Sequence, residues 1–247
     1  MKFRSLMVLR AVVVITMIGS TASAQSSSGE WEFAVAPYLW AAGMDGSMAV
    51  AIFEEDVDVP FSTIIENLDL AFMGHFDMRN DHWVLSSDLI FVDLEQREDV
   101  TEGTVTAGLD LTLFEVAGGY RVSSVFTVLA GARWVDMGAG LRYDGTLVDD
   151  GADVGRKWID PLIGVHAFVP LSKKWWLGLR GDIGGFGVGS EFAWQAYADI
   201  GFRASHLVSI VLGYRALDMD YEDGSGRDYV NLDLLISGPQ IGVAFTF

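Results

Sequence analysis

Hydrophobic and polar residues alternate with a period of two along most of this chain. The clearest stretch runs over residues 174–183 and then 192–203. In the first run Trp175, Leu177, Leu179 and Ile183 share one parity, with Gly178, Arg180 and Asp182 on the other. In the second, Phe192, Trp194, Ala196, Ala198, Ile200 and Phe202 alternate with Gln195, Tyr197, Asp199, Gly201 and Arg203. A two-residue period is that of a β-strand, whose side chains point to opposite faces in turn. The short Gly-rich link between the runs predicts a hairpin. Its faces are unequal: one is bulky and apolar, the other mixes small residues with charges. A soluble sheet buries the bulky face in a core. A membrane barrel turns it to lipid and keeps the small and charged residues in its lumen.

The same pattern predicts about ten strands, near residues 31–43, 70–79, 82–94, 104–121, 126–143, 157–169, 174–183, 192–203, 208–221 and 229–247. A long segment, 44–69, separates the first two, and Ser62 ahead of Thr63-Ile64-Ile65-Glu66 suggests a capped helical turn there. Eight or twelve strands would result if a weak strand fails or this segment hides a hairpin. The connections alternate in length. Asn80-Asp81, Ser123-Ser124, residues 170–173 and Ser205-His206 are short, and longer links lie between them. Outer-membrane barrels sort their connections this way, with short turns on the periplasmic side and longer loops outside. The fold class expected is therefore all-β, an antiparallel transmembrane barrel.

Two strands break phase. Leu232, Leu234 and Ile236 share a parity that Ile241, Val243, Phe245 and Phe247 do not, and the switch at Ser237-Gly238-Pro239 suggests a β-bulge. A similar break lies near Leu113-Phe114. Pro37 and Pro161 need bulge or rim positions, because a closed barrel has no edge for a missing N–H. Aromatic residues collect at strand ends. Trp83, Phe126, Trp175, Phe202, Phe245 and Phe247 lie near the short turns or the C-terminus; Phe91, Trp158, Phe192, Tyr221 and Tyr229 lie at the opposite ends. Two such belts fit the two membrane–water boundaries. Trp175, Trp194, Phe202, Phe245 and Phe247 are accordingly expected to face lipid.

The N-terminus adds a route. Lys2, Arg4 and Arg10 flank an apolar run over residues 11–18, and Ala22-Ser23-Ala24 is a small-residue cleavage site. This predicts a cleaved signal peptide over residues 1–24 and one barrel domain over 25–247. The apolar run is shorter than the ~20 residues of a spanning helix. With no Cys, disulfides and thiol chemistry drop out. A hydrophobic share of 51% without a spanning run is what alternating lipid-facing strands produce. The formal charge of −18 argues against nucleic acid as a partner.

Candidate chemistry gathers on the inferred inward faces. Glu115, Arg133, Asp160, His166, Arg180, Asp182, Asp199, Arg203, Arg215 and Asp233 form a candidate lumen charge network. Opposite charges on neighbouring strands pair across the ladder. A barrel of about ten strands is narrow, since eight are just filled by side chains and aqueous channels appear near sixteen. The network is thus expected to fill the lumen, with a narrow polar path for small solutes as the alternative. An enzyme would need a His and a carboxylate together at the outer rim. His82 and His206 fall at short turns, His75 and His166 at mid-strand, and none meets that requirement, so no catalytic residue is assigned. The run Gly184–Gly189 precedes no helix and makes no nucleotide loop, and neither a cofactor nor a specific metal site is expected. Clusters such as Glu54-Glu55-Asp56, Asp149-Asp150 and Asp218 to Asp223 make the outer loops acidic. They could hold divalent cations or meet the cation layer of lipopolysaccharide.

Asp160-Pro161-Leu162-Ile163-Gly164, Gly181-Asp182-Ile183-Gly184-Gly185-Phe186-Gly187, Gly213-Tyr214-Arg215 and the terminal Phe247 carry a resemblance. With them the chain resembles a group of largely uncharacterised proteobacterial outer-membrane β-barrel proteins, small barrels of the OmpA/porin-like kind. The resemblance implies the fold and a Gram-negative outer-membrane location, reached by the secretory pathway. It supplies no catalytic residue to carry over. The terminal Val243-Ala244-Phe245-Thr246-Phe247 resembles the signal read by the barrel assembly machinery, with lipid and lipopolysaccharide as the remaining expected partners.

Overall fold

Four short turns, all built alike, set the order of the sheet. In each, one side-chain oxygen accepts hydrogen bonds from the backbone N–H groups two and three residues on. Asn80 Oδ1 accepts from His82 (2.8 Å) and Trp83 (2.7 Å), and Ser123 Oγ from Val125 (3.2 Å) and Phe126 (3.0 Å). Ser172 and Ser205 repeat the arrangement with Lys174 and Trp175, and with Leu207 and Val208. Asn and Ser favour such turns because their short side chains mimic a backbone turn.

The computed structural model describes residues 30–50, 53–100, 103–145 and 149–247. The expected signal peptide lies outside the described residues. The strands are β1 (Glu32–Trp40), β2 (Gly43–Val50), β3 (Phe53–Val59), β4 (Leu68–Arg79), β5 (Trp83–Val100) and β6 (Gly103–Arg121). They continue as β7 (Phe126–Gly145), β8 (Asp149–Pro170), β9 (Trp175–Gly184), β10 (Phe192–Arg203), β11 (Val208–Asp223) and β12 (Val230–Thr246). One short helix, α1 (Phe61–Glu66), joins β3 to β4. All pairings are antiparallel. β1 and β4 to β12 pair in order, and β12 closes onto β1, making a ten-stranded barrel. The β2–β3 hairpin extends it by two strands on the side of β12. It lies in the long segment 44–69, where a hidden hairpin raises the strand count from ten to twelve. Ser62 lies inside α1, and Pro60 stands at its N-cap without a side-chain bond, so the expected Ser62 cap does not form.

β1 and β2 are one strand interrupted at Ala41-Ala42. Both keep the same register against β12, from Ala34↔Thr246 to Val50↔Val230. Pro37, Pro161 and Pro239 sit where the ladder can spare a donor. Pro239 O accepts from Ala41 N at 2.8 Å, so its missing N–H faces the interruption. Pro161 O accepts from Gly185 N at 3.1 Å, and its missing N–H points the same way, past the end of β9. Pro37 is the last residue of β1 paired with β4.

The outward positions are apolar over a band of about nine residues per strand, the length a tilted strand needs to cross a bilayer. On β9 it runs from Trp175 to Ile183, and elsewhere Leu39, Phe72, Ile163, Leu212 and Ile241 are exposed in it. Such a continuous exposed apolar belt is stable only against lipid. Trp175, Trp194, Phe202 and Phe245 have this outward parity, and Phe247 is exposed just beyond β12.

Beyond the band, on the side of the longer connections, the two faces exchange character. Outward positions become Asp45, Asp58, Asp110, Asp218, Asp220 and Asp233, and inward ones become apolar. This exchange, and not a bulge, explains the breaks near Leu113-Phe114 and Ser237–Pro239. The register of β11 with β12 is continuous from Val208↔Phe245 to Asp223↔Val230. Leu232, Leu234 and Ile236 point inward and are buried, whereas Ile241 points outward.

In this half the wall also parts at two seams. β9 ends at Gly184, leaving the first half of β8 paired only with β7. β3 pairs only with β2, and β4 before Gly74 pairs only with β5. The result is a two-sheet sandwich standing on the barrel. Ile90, Leu113, Val135 and Trp158 from one sheet meet Leu217, Met219, Leu232 and Ile236 from the other, and α1 adds Ile64. Trp158 stacks on Tyr221 across it, with centroids 4.0 Å apart. These two aromatics are therefore core residues, contrary to the outer girdle expected of them.

Candidate functional site

Directly below the apolar sandwich core, charged side chains cross the lumen. Their centre is a closed ring of two cations and two anions. Arg133 on β7 donates from Nη2 to Glu115 Oε2 on β6 (2.9 Å) and to Asp182 Oδ1 on β9 (2.9 Å). Arg180 on β9 donates from Nε to Asp182 Oδ2 (2.9 Å) and from Nη2 to Glu115 Oε1. Arg133 is 1% exposed and the other three are also buried. β8 stands between β7 and β9, and its residue opposite Asp182 is Gly164. A Cβ at Gly164 would come within 2.5 Å of Asp182 Cβ. The glycine thus lets Arg133 reach over β8 to the acid beyond.

The ring continues to the far wall through an amide. Gln195 Nε2 donates to Asp182 Oδ2 (3.1 Å), and Arg215 Nε donates to Gln195 Oε1 (2.8 Å). Arg215 Nη1 then reaches Asp88 Oδ1 and Tyr38 OH, both at 3.0 Å. Tyr38 donates to the same Asp88 oxygen at 2.8 Å, and His75 Nδ1 lies 3.1 Å from Asp88 Oδ2. Asp77 closes the chain, 3.3 Å from His75 Nε2. Arg215 also lies under Trp40, 5.0 Å from its ring centre, where the polar layer meets the apolar one. Charges held this deep must be matched by partners with good geometry. Each acid in the layer has at least one cationic or histidine partner.

Of the residues singled out from sequence, Glu115, Arg133, Arg180, Asp182 and Arg215 meet in this layer. His166, Asp199 and Arg203 face a cavity below it. Asp160 points inward and is buried, but it serves the Gly-rich connection 185–191. Its carboxylate accepts from Ser190 N (2.6 Å), Ser190 Oγ (2.8 Å) and Trp158 Nε1 (3.1 Å). Gly189 makes room for it, since a Cβ there would lie 2.6 Å from Asp160 Oδ1. Asp233 is a correction. It is exposed on the outer surface opposite Asp220, because the inward face of β12 at that height is apolar. Tyr38, His75, Asp77, Asp88 and Gln195 belong to the layer and were not among the candidate lumen charges. Their inward parity was readable, but their partners sit on strands remote in sequence.

The cavity below the layer holds about 410 Å³ and extends to the short-turn end, where His206 and Thr246 border it. Asp77, His166, Trp176, Tyr197 and Asp199 line its interior. A second space of about 240 Å³ adjoins it and shares His75, His166, Phe168 and Tyr197. Glu32 and Arg79 pair at the mouth.

No family model and no curated protein matches the sequence. Solved structures do. The outer membrane protease OmpT from Escherichia coli aligns with a TM-score of 0.55 at 7% identity, covering 91% of this chain and 99% of that one. The translocator domain of autotransporter NalP from Neisseria meningitidis aligns at 0.38 and 12% identity, covering 89% and 90%. Ail from Yersinia pestis aligns at 0.40 and 7%, covering 88% and 98%. Likeness at such identities extends to the fold alone, and the OmpT alignment carries it: this chain has the closed antiparallel β-barrel fold of outer-membrane proteins.

Proposed function

We propose that this chain is an integral, non-conducting barrel of a Gram-negative outer membrane, with a structural or surface-interaction role. The observation that carries the reading is the double closure of the lumen. A buried layer of matched charges crosses the barrel, and an apolar sandwich core lies above it. Among the described residues, the side chains of both layers are buried, which supports a filled lumen. The short turns and both described chain ends then face the periplasm, and the sandwich stands outside. Export runs through the secretory pathway by way of residues 1–24, and the assembly machinery reads the C-terminal strand ending in Phe247. Outward carboxylates such as Asp218, Asp220 and Asp233, just above the apolar belt, suit the cation-bridged lipopolysaccharide layer.

The role is not enzymatic in this reading. His75 is the histidine best placed for acid–base work, and its two ring nitrogens face Asp88 and Asp77. Neither nitrogen is left to take a proton from a substrate. The competing reading is a narrow solute path, favoured by the cavity that leads up to the charged layer.

Planar-bilayer recording separates the two. The purified barrel should insert without conductance steps while showing heat-modifiable mobility on gels. Discrete steps that change size when Arg180 or Arg215 is substituted would establish the channel instead.

A further inference from the structure

Asp199 differs from the other acids around the cavity. Among the described residues, Glu32 pairs with Arg79, Asp77 with His75, and Asp88 with Arg215 and His75. Asp199 has a neutral partner: Gln240 Nε2 donates to its Oδ1 at 2.6 Å. Among the described residues, no cation touches this half-buried carboxylate; the cations that act on it, Arg215 and His75, are themselves paired with Asp88.

Its surroundings are cleared by glycine. The cross-strand neighbours of Asp199 are Gly178 on β9 and Gly213 on β11. A Cβ at Gly213 would lie 1.8 Å from Asp199 Oδ1, so the carboxylate lies flat against the β11 wall. One pleat repeat nearer the mouth, roughly 7 Å along β10, Gly201 does the same for Trp176. A Cβ there would lie 1.9 Å from the indole Cε2, and one at Gly178 would lie 3.1 Å from its Cζ3. The indole is therefore laid across β9 and β10 beside Asp199. Side chains at these glycines would push both groups into the space they border.

We propose that this niche binds an organic ammonium ion, a protonated amine on an apolar body. Asp199 supplies the counter-charge. Gln240 spends its NH₂ group on Asp199, which leaves its Oε1 as a second acceptor for a donor-only ammonium. The Trp176 indole attracts a cation through its ring face and covers the apolar part of the ligand. A divalent metal does not suit the donor set. Ca²⁺ needs six to eight oxygens and Mg²⁺ a full octahedron, and two side chains do not approach either. A cavity of about 410 Å³ is of the size that small-molecule sites have. The niche needs only the fold; that the ligand arrives from the periplasm rests on the sidedness proposed above.

The test uses the full chain refolded in detergent micelles at pH 7, titrated calorimetrically with phenethylamine and with 2-phenylethanol, its uncharged counterpart. The amine should bind at least tenfold more tightly than the alcohol. Asp199→Asn should weaken amine binding at least tenfold and leave alcohol binding unchanged, and Trp176→Leu should weaken both. Heat-modifiable mobility identifies variants that have folded. If Asp199→Asn does not fold, the wild-type preference for amine over alcohol, with its decline on adding competing methylammonium, decides alone. Equal binding of the two probes, no binding of the amine, or an unchanged Asp199→Asn variant overturns the site. Conductance in a barrel that still binds the amine would overturn the closed-lumen reading and not this one.

Discussion

At the scale of single residues, what matters most is that the lumen charges are matched in a ring and not in isolated pairs. Arg180 holds Asp182 and Glu115, and Arg133 holds the same two acids. Removing Arg180 alone leaves two buried carboxylates sharing one guanidinium. Stranding a buried charge costs about 3–5 kcal/mol. Removing Arg180 and Asp182 together leaves Arg133 with Glu115, which remain bonded to each other. We therefore expect Arg180→Ala to lower the denaturant midpoint more than Arg180→Ala combined with Asp182→Ala. A double variant weaker than the single one would mean that the ring is not balanced as the geometry indicates.

At the scale of elements, β9 separates lipid from lumen residue by residue. Leu179 is exposed in the apolar band, and Gly178 beside it faces Trp176 and His166. A lysine near the bilayer midplane on the lipid face costs about 2–4 kcal/mol. Leu179→Lys should therefore reduce the folded, heat-modifiable fraction on lipid refolding. Gly178→Lys should keep that fraction near wild type, because its ammonium enters a polar cavity. Equal loss at the two positions would reject the assignment of faces. The same alternation loses this meaning toward the end of the long connections. There Asp218 and Asp220 point outward and Leu217 and Met219 inward.

At the scale of the whole molecule, the barrel and the sandwich are two ways of hiding apolar surface on one set of strands. In the band, lipid covers the outer face; above it, the two sheets cover each other. Trp158 is central to the second arrangement, buried and stacked on Tyr221. Trp158→Ala should cost about 3–5 kcal/mol. The loss should be local: amide exchange should speed up in the outer halves of β7, β8, β11 and β12, while the strands in the band stay protected. Uniform loss of protection would show that barrel and sandwich unfold as one unit.

The sequence by itself determined what is local. Alternation marked the strands, and Asn80, Ser123, Ser172 and Ser205 marked the turns. Parity correctly sorted Trp175, Leu179, Arg180 and Asp182 to their faces, because each strand carries its own two-residue period. It also placed Asp199 on the lumen wall. Tertiary structure decided everything that depends on which strands meet. Parity cannot say whether an apolar face is covered by lipid or by another sheet, so Ser237–Pro239 read as a bulge and Asp233 as a lumen charge. Nor can it say that Arg133 reaches past β8 to Asp182, that Gln195 bridges Asp182 to Arg215, or that glycines on β9 and β11 flank Asp199 and leave Gln240 as its partner. Those facts follow from closure and register, which bring residues far apart in the chain within a hydrogen bond of each other.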